Sequence, residues 1–155
     1  MKNLKKVLAL VVACVMLFTM SSFAFTDVEA DASYLEAATL LNKLGIITGY
    51  EDGSFLPNNT ITRAEAATVL VRALNGTEEA KGMAASNMFT DVPASHWAAG
   101  YVNYAATYGI VNGRGAGIFD PEAPVAYEEI VKMIVAMLGW TPAAEEKGGY
   151  PTVEG

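Results

Sequence analysis

A shift of 64 residues lays this chain on itself without a gap, carrying Phe25 to Gly76 onto Phe89 to Trp140. Phe25-Thr26-Asp27-Val28 falls on Phe89-Thr90-Asp91-Val92, Gly45-Ile46 on Gly109-Ile110, Gly49 on Gly113, Gly53 on Gly117, Phe55 on Phe119, Pro57 on Pro121 and Glu65 on Glu129. Most of these matches are turn residues and apolar anchors, which two copies of one fold unit keep when the rest drifts. A repeat of this length constrains the fold more than any composition, because one short unit cannot cover its own apolar face and must pack on its neighbour.

Each copy reads as helix, loop, helix, so the fold class is all-α. In the first helices Ala37, Leu40, Leu41 and Leu44 recur at helical spacing, as do Trp97, Tyr101, Tyr104, Ala105 and Tyr108. Gly45 and Gly109 follow as residues beyond the C-cap, where a positive φ is wanted. The loops 46–61 and 110–125 hold glycines and prolines that forbid a continuous helix. The second helices carry Ala66, Val69, Leu70, Ala73 and Leu74, matched by Ile130, Met133, Ile134, Met137 and Leu138. Four main helices are thus expected near 31–44, 62–75, 95–108 and 126–139. The resulting organisation is a leader over 1–24, a first unit over 25–76, a polar linker over 77–88, a second unit over 89–140, and a tail over 141–155.

The leader has the composition of a signal peptide. Lys2, Lys5 and Lys6 precede the apolar run Val7 to Met20, and Ser22-Phe23-Ala24 offers small residues where signal peptidase cuts, so cleavage after Ala24 is expected. The run of about 14 residues is short for a membrane span, which needs about 20. A weaker alternative reads Val11 to Cys14 as a lipobox with a lipidated Cys14. Cys14 is the single cysteine, so the cleaved chain would hold no disulfide and no thiolate metal site. Cleavage also removes three lysines from a formal net charge of -7, leaving a net near -10 with no basic run. Such a chain suits neither nucleic acid nor an anionic membrane surface. No partner of either kind is expected after signal cleavage, and no cofactor or metal is called for.

The strings Phe25 to Val28, Leu44-Gly45-Ile46-Ile47-Thr48-Gly49, Asp52-Gly53-Ser54-Phe55-Leu56-Pro57 and Ile61-Thr62-Arg63-Ala64-Glu65 together resemble an S-layer homology motif. The second copy resembles it as well, through Phe89 to Ala98, Gly109 to Gly113 and Phe119-Asp120-Pro121. Gly148 to Pro151 resembles the approach to a third motif. The resemblance implies a pseudo-threefold spindle of three motifs, with grooves that bind secondary cell-wall polymer on peptidoglycan, often through a pyruvylated sugar. It further implies a secreted, noncovalent anchor in the wall of a Gram-positive-type bacterium, either with a further motif and a cargo domain encoded beyond residue 155 or as a two-motif protein with an uncovered face. The competing readings are a protein docking or self-assembly module of the envelope, and the non-catalytic anchor of a surface enzyme.

Candidate site residues divide by what they can do locally. Thr62 and Glu65 form an S/T-x-x-E capping box, which assigns them to helix initiation. Arg63 sits in the first turn, where a cation works slightly against the helix dipole. On residues alone it is either a solvated side chain or, with the free helix amides, a site for an anion such as a carboxylate. The resemblance favours the ligand, and with it the expectation that Arg63→Ala leaves stability within about half a kcal/mol. The second copy departs here, with Ala126-Tyr127-Glu128-Glu129 in place of the cap and the guanidinium. Its groove is either degenerate, or relies on Tyr127 for sugar stacking, or draws on Arg114 from the preceding loop.

Trp97 is open to both core packing and stacking, and Ser33 stands at its place in the first copy. Asp27 and Asp91 either cap turns or accept sugar hydroxyls. Gly49 and Gly113 supply backbone freedom, and the resemblance adds close ligand approach. The resemblance places grooves between motifs, which allows one groove to combine Arg63 with Asp91 or Trp97. Catalysis finds no support: Ser95 and His96 are sequence neighbours that diverge on a helix, as are Glu128 and Glu129.

Overall fold

The computed structural model describes residues 24–146. Residues 1–23 of the leader, with Cys14, and the Gly148 to Pro151 segment lie outside the described residues. Among the described residues six α-helices follow in order: α1 Leu35–Lys43, α2 Arg63–Ala73, α3 Thr77–Gly82, α4 Ala99–Thr107, α5 Tyr127–Met137 and α6 Thr141–Glu146. A 3-10 turn, Ala84–Ser86, lies between α3 and α4. Among the described residues there is no strand, only one isolated antiparallel bridge between Thr62 and Pro124. The all-α reading holds, and all four expected helices form at shorter length.

The first helix of the second copy starts late for a visible reason. Before Ala99 the chain makes tight turns, with the His96 amide donating to the Pro93 carbonyl and the His96 ring Nδ1 accepting from the Ala98 amide at 3.1 Å. At their far ends α1 and α4 stop where expected, on Gly45 at φ 70° and Gly109 at φ 68°.

The two helices of one copy do not pack on each other. Instead α2 of the first copy packs on α4 of the second, and the main core lies in that junction. Ala64, Ala67 and Val71 of α2 are fully buried with Val102 and Ala105 of α4, above Val92 and Phe119. Small residues dominate because the helix axes approach closely. The first copy holds only a minor cluster of its own, Phe25, Val28 and Ala38, with Ile47 and Phe55 alongside.

This cross-copy pairing corrects the apolar faces expected from periodicity. Leu40 and Leu44 of α1 are 55% and 62% exposed, since α1 touches no other helix among the described residues. Tyr108, expected on the buried face of α4, is also exposed, while Ala98, Ala99, Val102 and Ala105 go inside.

The linker is also more than a tether. Between the copies α3 lies against α4, Ala80 is fully buried, and Asn103 of α4 ties the segment down through Nδ2 to the Met83 carbonyl and Oδ1 to the Met88 amide. Polar sequence hid this, because a single alanine makes the contact.

Gly100 tests that packing. A methyl group at this position would overlap the Ala80 carbonyl oxygen. Gly100→Ala should gain up to about 1 kcal/mol of helix propensity and still lower the melting temperature, because overpacking against backbone costs roughly 1–3 kcal/mol or more. Thermal denaturation of the two proteins followed at 222 nm checks the sign.

Candidate functional site

The loop of each copy is held in shape by its aspartate. Asp27 accepts hydrogen bonds from the Phe55 and Leu56 amides at 2.7 and 2.8 Å, and Asp91 accepts from Phe119 and Asp120 at 2.9 and 2.7 Å. The Phe55 amide, followed by that of Leu56, holds the Asp27 carboxyl below its ordinary range. Both oxygens of each carboxylate serve the loop, so Asp27 and Asp91 are turn-forming groups and line neither groove described below.

Gly49 and Gly113 are fixed by close approach. A Cβ at Gly49 would meet the Ser54 carbonyl at 2.6 Å and the Phe25 ring at 2.7 Å, and one at Gly113 would meet the Ile118 carbonyl at 2.7 Å and the Phe89 ring at 2.8 Å. Only Gly49 of the two has a positive φ. Both glycines also line grooves.

Two grooves open at the surface, and the 64-residue shift relates them. The first, about 530 Å³, is lined by the 47–51 loop and by Glu65, Thr68, Val69 and Arg72 of the first copy, with Trp97 and Glu122 from the second. The second, about 280 Å³, is lined by the 109–114 loop and by Glu129, Lys132, Met133 and Ala136 of the second copy, with Arg63 from the first. Tyr50 in one thus corresponds to Arg114 in the other, Glu65 to Glu129, and Arg72 to Ala136.

Arg63 occupies the first turn of α2, as its motif implies, but it is not solvated. The side chain is 2% exposed. Its Nε donates to the Phe119 carbonyl at 2.8 Å, one terminal nitrogen to Glu129 at 2.8 Å and the other to the Asn112 carbonyl at 3.0 Å. The guanidinium also lies over the Phe119 ring, 4.6 Å from its centroid. The helix amides are not free either: Arg63 N donates to the Ala123 carbonyl, Ala64 N to the Pro121 carbonyl, and Glu65 N to the Thr62 hydroxyl. An anion site on open amides is therefore excluded here, and the expected neutrality of Arg63→Ala is corrected.

The capping box itself forms in full, with Glu65 Oε2 accepting from the Thr62 amide at 2.7 Å. In the second copy Ala126 has no side-chain oxygen, and Glu129 alone reaches back to its amide at 3.0 Å.

Glu129 is the hub of the second groove. Besides Arg63 it accepts from Arg114, whose outer nitrogen lies 3.1 and 3.2 Å from the two carboxylate oxygens. Arg114 also pairs with Asp120 at 2.6 Å. Burial, the largest single influence, pushes the Glu129 carboxyl up, but the Ala126 amide and the two guanidiniums together hold it below its ordinary value.

In the first groove Tyr50 takes the place of Arg114, its hydroxyl donating to Glu65 at 2.8 Å. Trp97 is 57% exposed at the edge, which settles it as a groove residue and not a core one. His96 stacks beside it and, with Nδ1 occupied, donates from Nε2 to Glu122 at 3.1 Å. Both ring nitrogens are committed, so His96 has no nitrogen left to serve Ser95 as a base.

Arg63 and Trp97, expected in one groove, lie in different ones. Tyr127 is 65% exposed and lines neither, because its counterpart Arg63 shows where that position points: across a junction into the next copy. Tyr50, Arg72 and Glu122 were missed by motif reading; the signal for Tyr50 and Arg72 would have been their place on the loop and helix of the Gly49 groove, while Glu122 comes from the second copy and carried none. No cluster of three or more His, Cys, Asp or Glu side chains suited to a metal occurs among the described residues, and no helix there is long and apolar enough to cross a membrane.

The S-layer homology domain model matches residues 24–67 and 89–131. The chain is 38% identical over 156 residues to the middle cell wall protein of Brevibacillus brevis, covering 96% of this chain and 15% of the relative. It is 34% identical over 115 residues to a cellulosome-anchoring protein of Acetivibrio thermocellus, covering 74% and 26%. An amylopullulanase of Thermoanaerobacterium thermosulfurigenes is 33% identical over 117 residues, covering 74% and 6%. The chain thus spans between 6% and 26% of the length of these relatives.

Arg63→Ala should destabilise the fold by about 2–4 kcal/mol, since it strands two loop carbonyls and leaves Glu129 with Arg114 alone. Arg63→Lys should recover only part, because an ammonium cannot match a three-way guanidinium fork. Urea denaturation of wild type and both variants measures the differences.

Proposed function

The chain belongs to the S-layer homology family, and from that premise we propose that it is a noncovalent cell-surface anchor that holds an exported protein to the wall by binding secondary cell-wall polymer. The observation that carries this reading is the pair of grooves related by the repeat, each built from a loop and helix of one copy and completed by a residue of the other. Their lining suits a sugar: carboxylates to accept hydroxyls, guanidiniums for an acidic substituent such as a pyruvate ketal, and in the first groove the exposed face of Trp97. Export by residues 1–24 and cleavage after Ala24 belong to the same proposal.

A further motif beyond residue 155 completes it. The first groove has Trp97 but no counterpart of Arg63, and the second has Arg63 but no counterpart of Trp97. The contacts that join α2 to the second copy have no equivalent among the described residues at the loop of the first copy or at α5. Pro57 and Asn59, equivalents of Pro121 and Ala123, receive no hydrogen bond on their carbonyls among the described residues. Glu128, the equivalent of Ala64, has a buried carboxylate oxygen without a partner there. Ile134 of α5, the helix equivalent to α2, stays exposed, as do Leu138 and Trp140 just beyond its end. A third motif, packing on α5 as α4 packs on α2, would supply what is missing. Cargo lies beyond it, as a structural or enzymatic domain to which this module adds no catalysis.

The test is co-sedimentation with purified peptidoglycan sacculi, with and without their attached polymer. Binding should require the polymer, and Trp97→Ala should weaken it by roughly 1 kcal/mol, about fivefold. Equal binding to stripped sacculi, or none to either, would exclude this function.

A further inference from the structure

Asparagine followed by glycine occurs twice in the chain, at Asn75-Gly76 and Asn112-Gly113. In such a pair the glycine nitrogen can attack the side-chain carbonyl carbon of the asparagine, because no Cβ obstructs its approach. The fold leaves that nitrogen free in one pair and ties it down in the other. Asn75 lies just past α2 with φ 58°, and the Gly76 amide donates to the Val71 carbonyl at 3.0 Å. Gly76 is buried, with the Tyr104 ring where its Cβ would stand, so its nitrogen reaches Asn75 only if the end of α2 opens away from α4. Asn112 and Gly113, by contrast, are both exposed in the 109–114 loop, outside any helix. Neither the Asn112 side chain nor the Gly113 amide makes a hydrogen bond among the described residues. The Asn112 main-chain carbonyl does accept one, from the Arg63 guanidinium at 3.0 Å. A cation on a peptide oxygen stabilises the charge that spreads there when the following nitrogen gives up its proton, which is the form that attacks.

We propose that Asn112 is a modification site, deamidating spontaneously in the folded chain to aspartyl and isoaspartyl products while Asn75 is protected, and that the isoaspartyl product loosens the Arg63 junction. The Gly113 nitrogen bonds to the Asn112 Cγ, and its proton leaves with the side-chain nitrogen as ammonia. Water then opens the cyclic imide at either carbonyl. Opening at the side-chain carbonyl restores the backbone and leaves an aspartyl side chain. Opening at the main-chain carbonyl routes the backbone through the side chain and lengthens it by a methylene. Gly113 is boxed in by the Ile118 carbonyl and the Phe89 ring, so the longer loop cannot keep both that contact and the bond from Arg63. The first copy is spared, because Thr48 stands at the equivalent place and a hydroxyl forms no imide.

The experiment incubates the full chain in mildly alkaline buffer, folded or in urea, and follows the peptides that contain residues 75 and 112 by mass spectrometry. An isoaspartyl methyltransferase assay marks the isomerised product. In the folded chain Asn112 should convert faster than Asn75 by about tenfold or more, because local opening limits Asn75. In urea the two should convert alike. Conversion of Asn112 no faster than Asn75 in the folded chain would overturn the assignment, as would an intact Asn112 in the folded chain when both sites react in urea. The purified isoaspartyl chain should unfold at a lower urea concentration than Asn112→Asp, which carries the added charge on an unaltered backbone. Equal midpoints would overturn the coupling of this site to the Arg63 junction.

Discussion

A guanidinium buried to 2% exposure cannot stand without partners, and every partner of Arg63 comes from the other copy. Removing such a charge from water costs several kcal/mol unless hydrogen bonds and an opposite charge replace the lost hydration. The Phe119 and Asn112 carbonyls, Glu129 and the Phe119 ring provide that replacement only when α2 sits against the second copy in one register. The neighbouring Thr62–Pro124 bridge and the amide bonds from Arg63 and Ala64 fix the same register from the backbone side. The apolar contacts of α2 with α4 add most of the buried area, but alanines and valines alone would tolerate sliding.

The same lock shapes the grooves. By holding the Asn112 carbonyl and Glu129, Arg63 sets the floor of the second groove, and Arg114 closes its side through Glu129 and Asp120. The first groove opens on the other side of α2, where the packing of α4 brings up the turn that carries His96 and Trp97. A repeat in sequence therefore becomes two sites that share a frame and differ in charge: one with its guanidiniums tied to a glutamate, the other with Arg72 held by a hydroxyl and a ring.

Much of this frame was legible before the structure. Gly45 and Gly109, the Thr62–Glu65 capping box and the paired periodicity located the helices because each signal acts over a few residues. The burial of Arg63 was not legible, since two of its three acceptors are main-chain carbonyls 49 and 56 residues away, and a carbonyl leaves no mark on residue identity. Periodicity likewise found the apolar stripe of α1 but not its exposure, because the helix that follows it, α2, packs on the second copy instead. The role of α3 was missed for the opposite reason: six polar or small residues hide one buried alanine.

The coupling between Arg63 and Glu129 tests the account most directly. A double-mutant cycle with Arg63→Met, Glu129→Gln and the pair, followed by urea denaturation, should give an interaction energy on the order of 1–3 kcal/mol, with the double variant less destabilised than the sum of the single ones. Additivity within about 0.5 kcal/mol would mean that the copies are held by apolar packing alone and that Arg63 does not set their register.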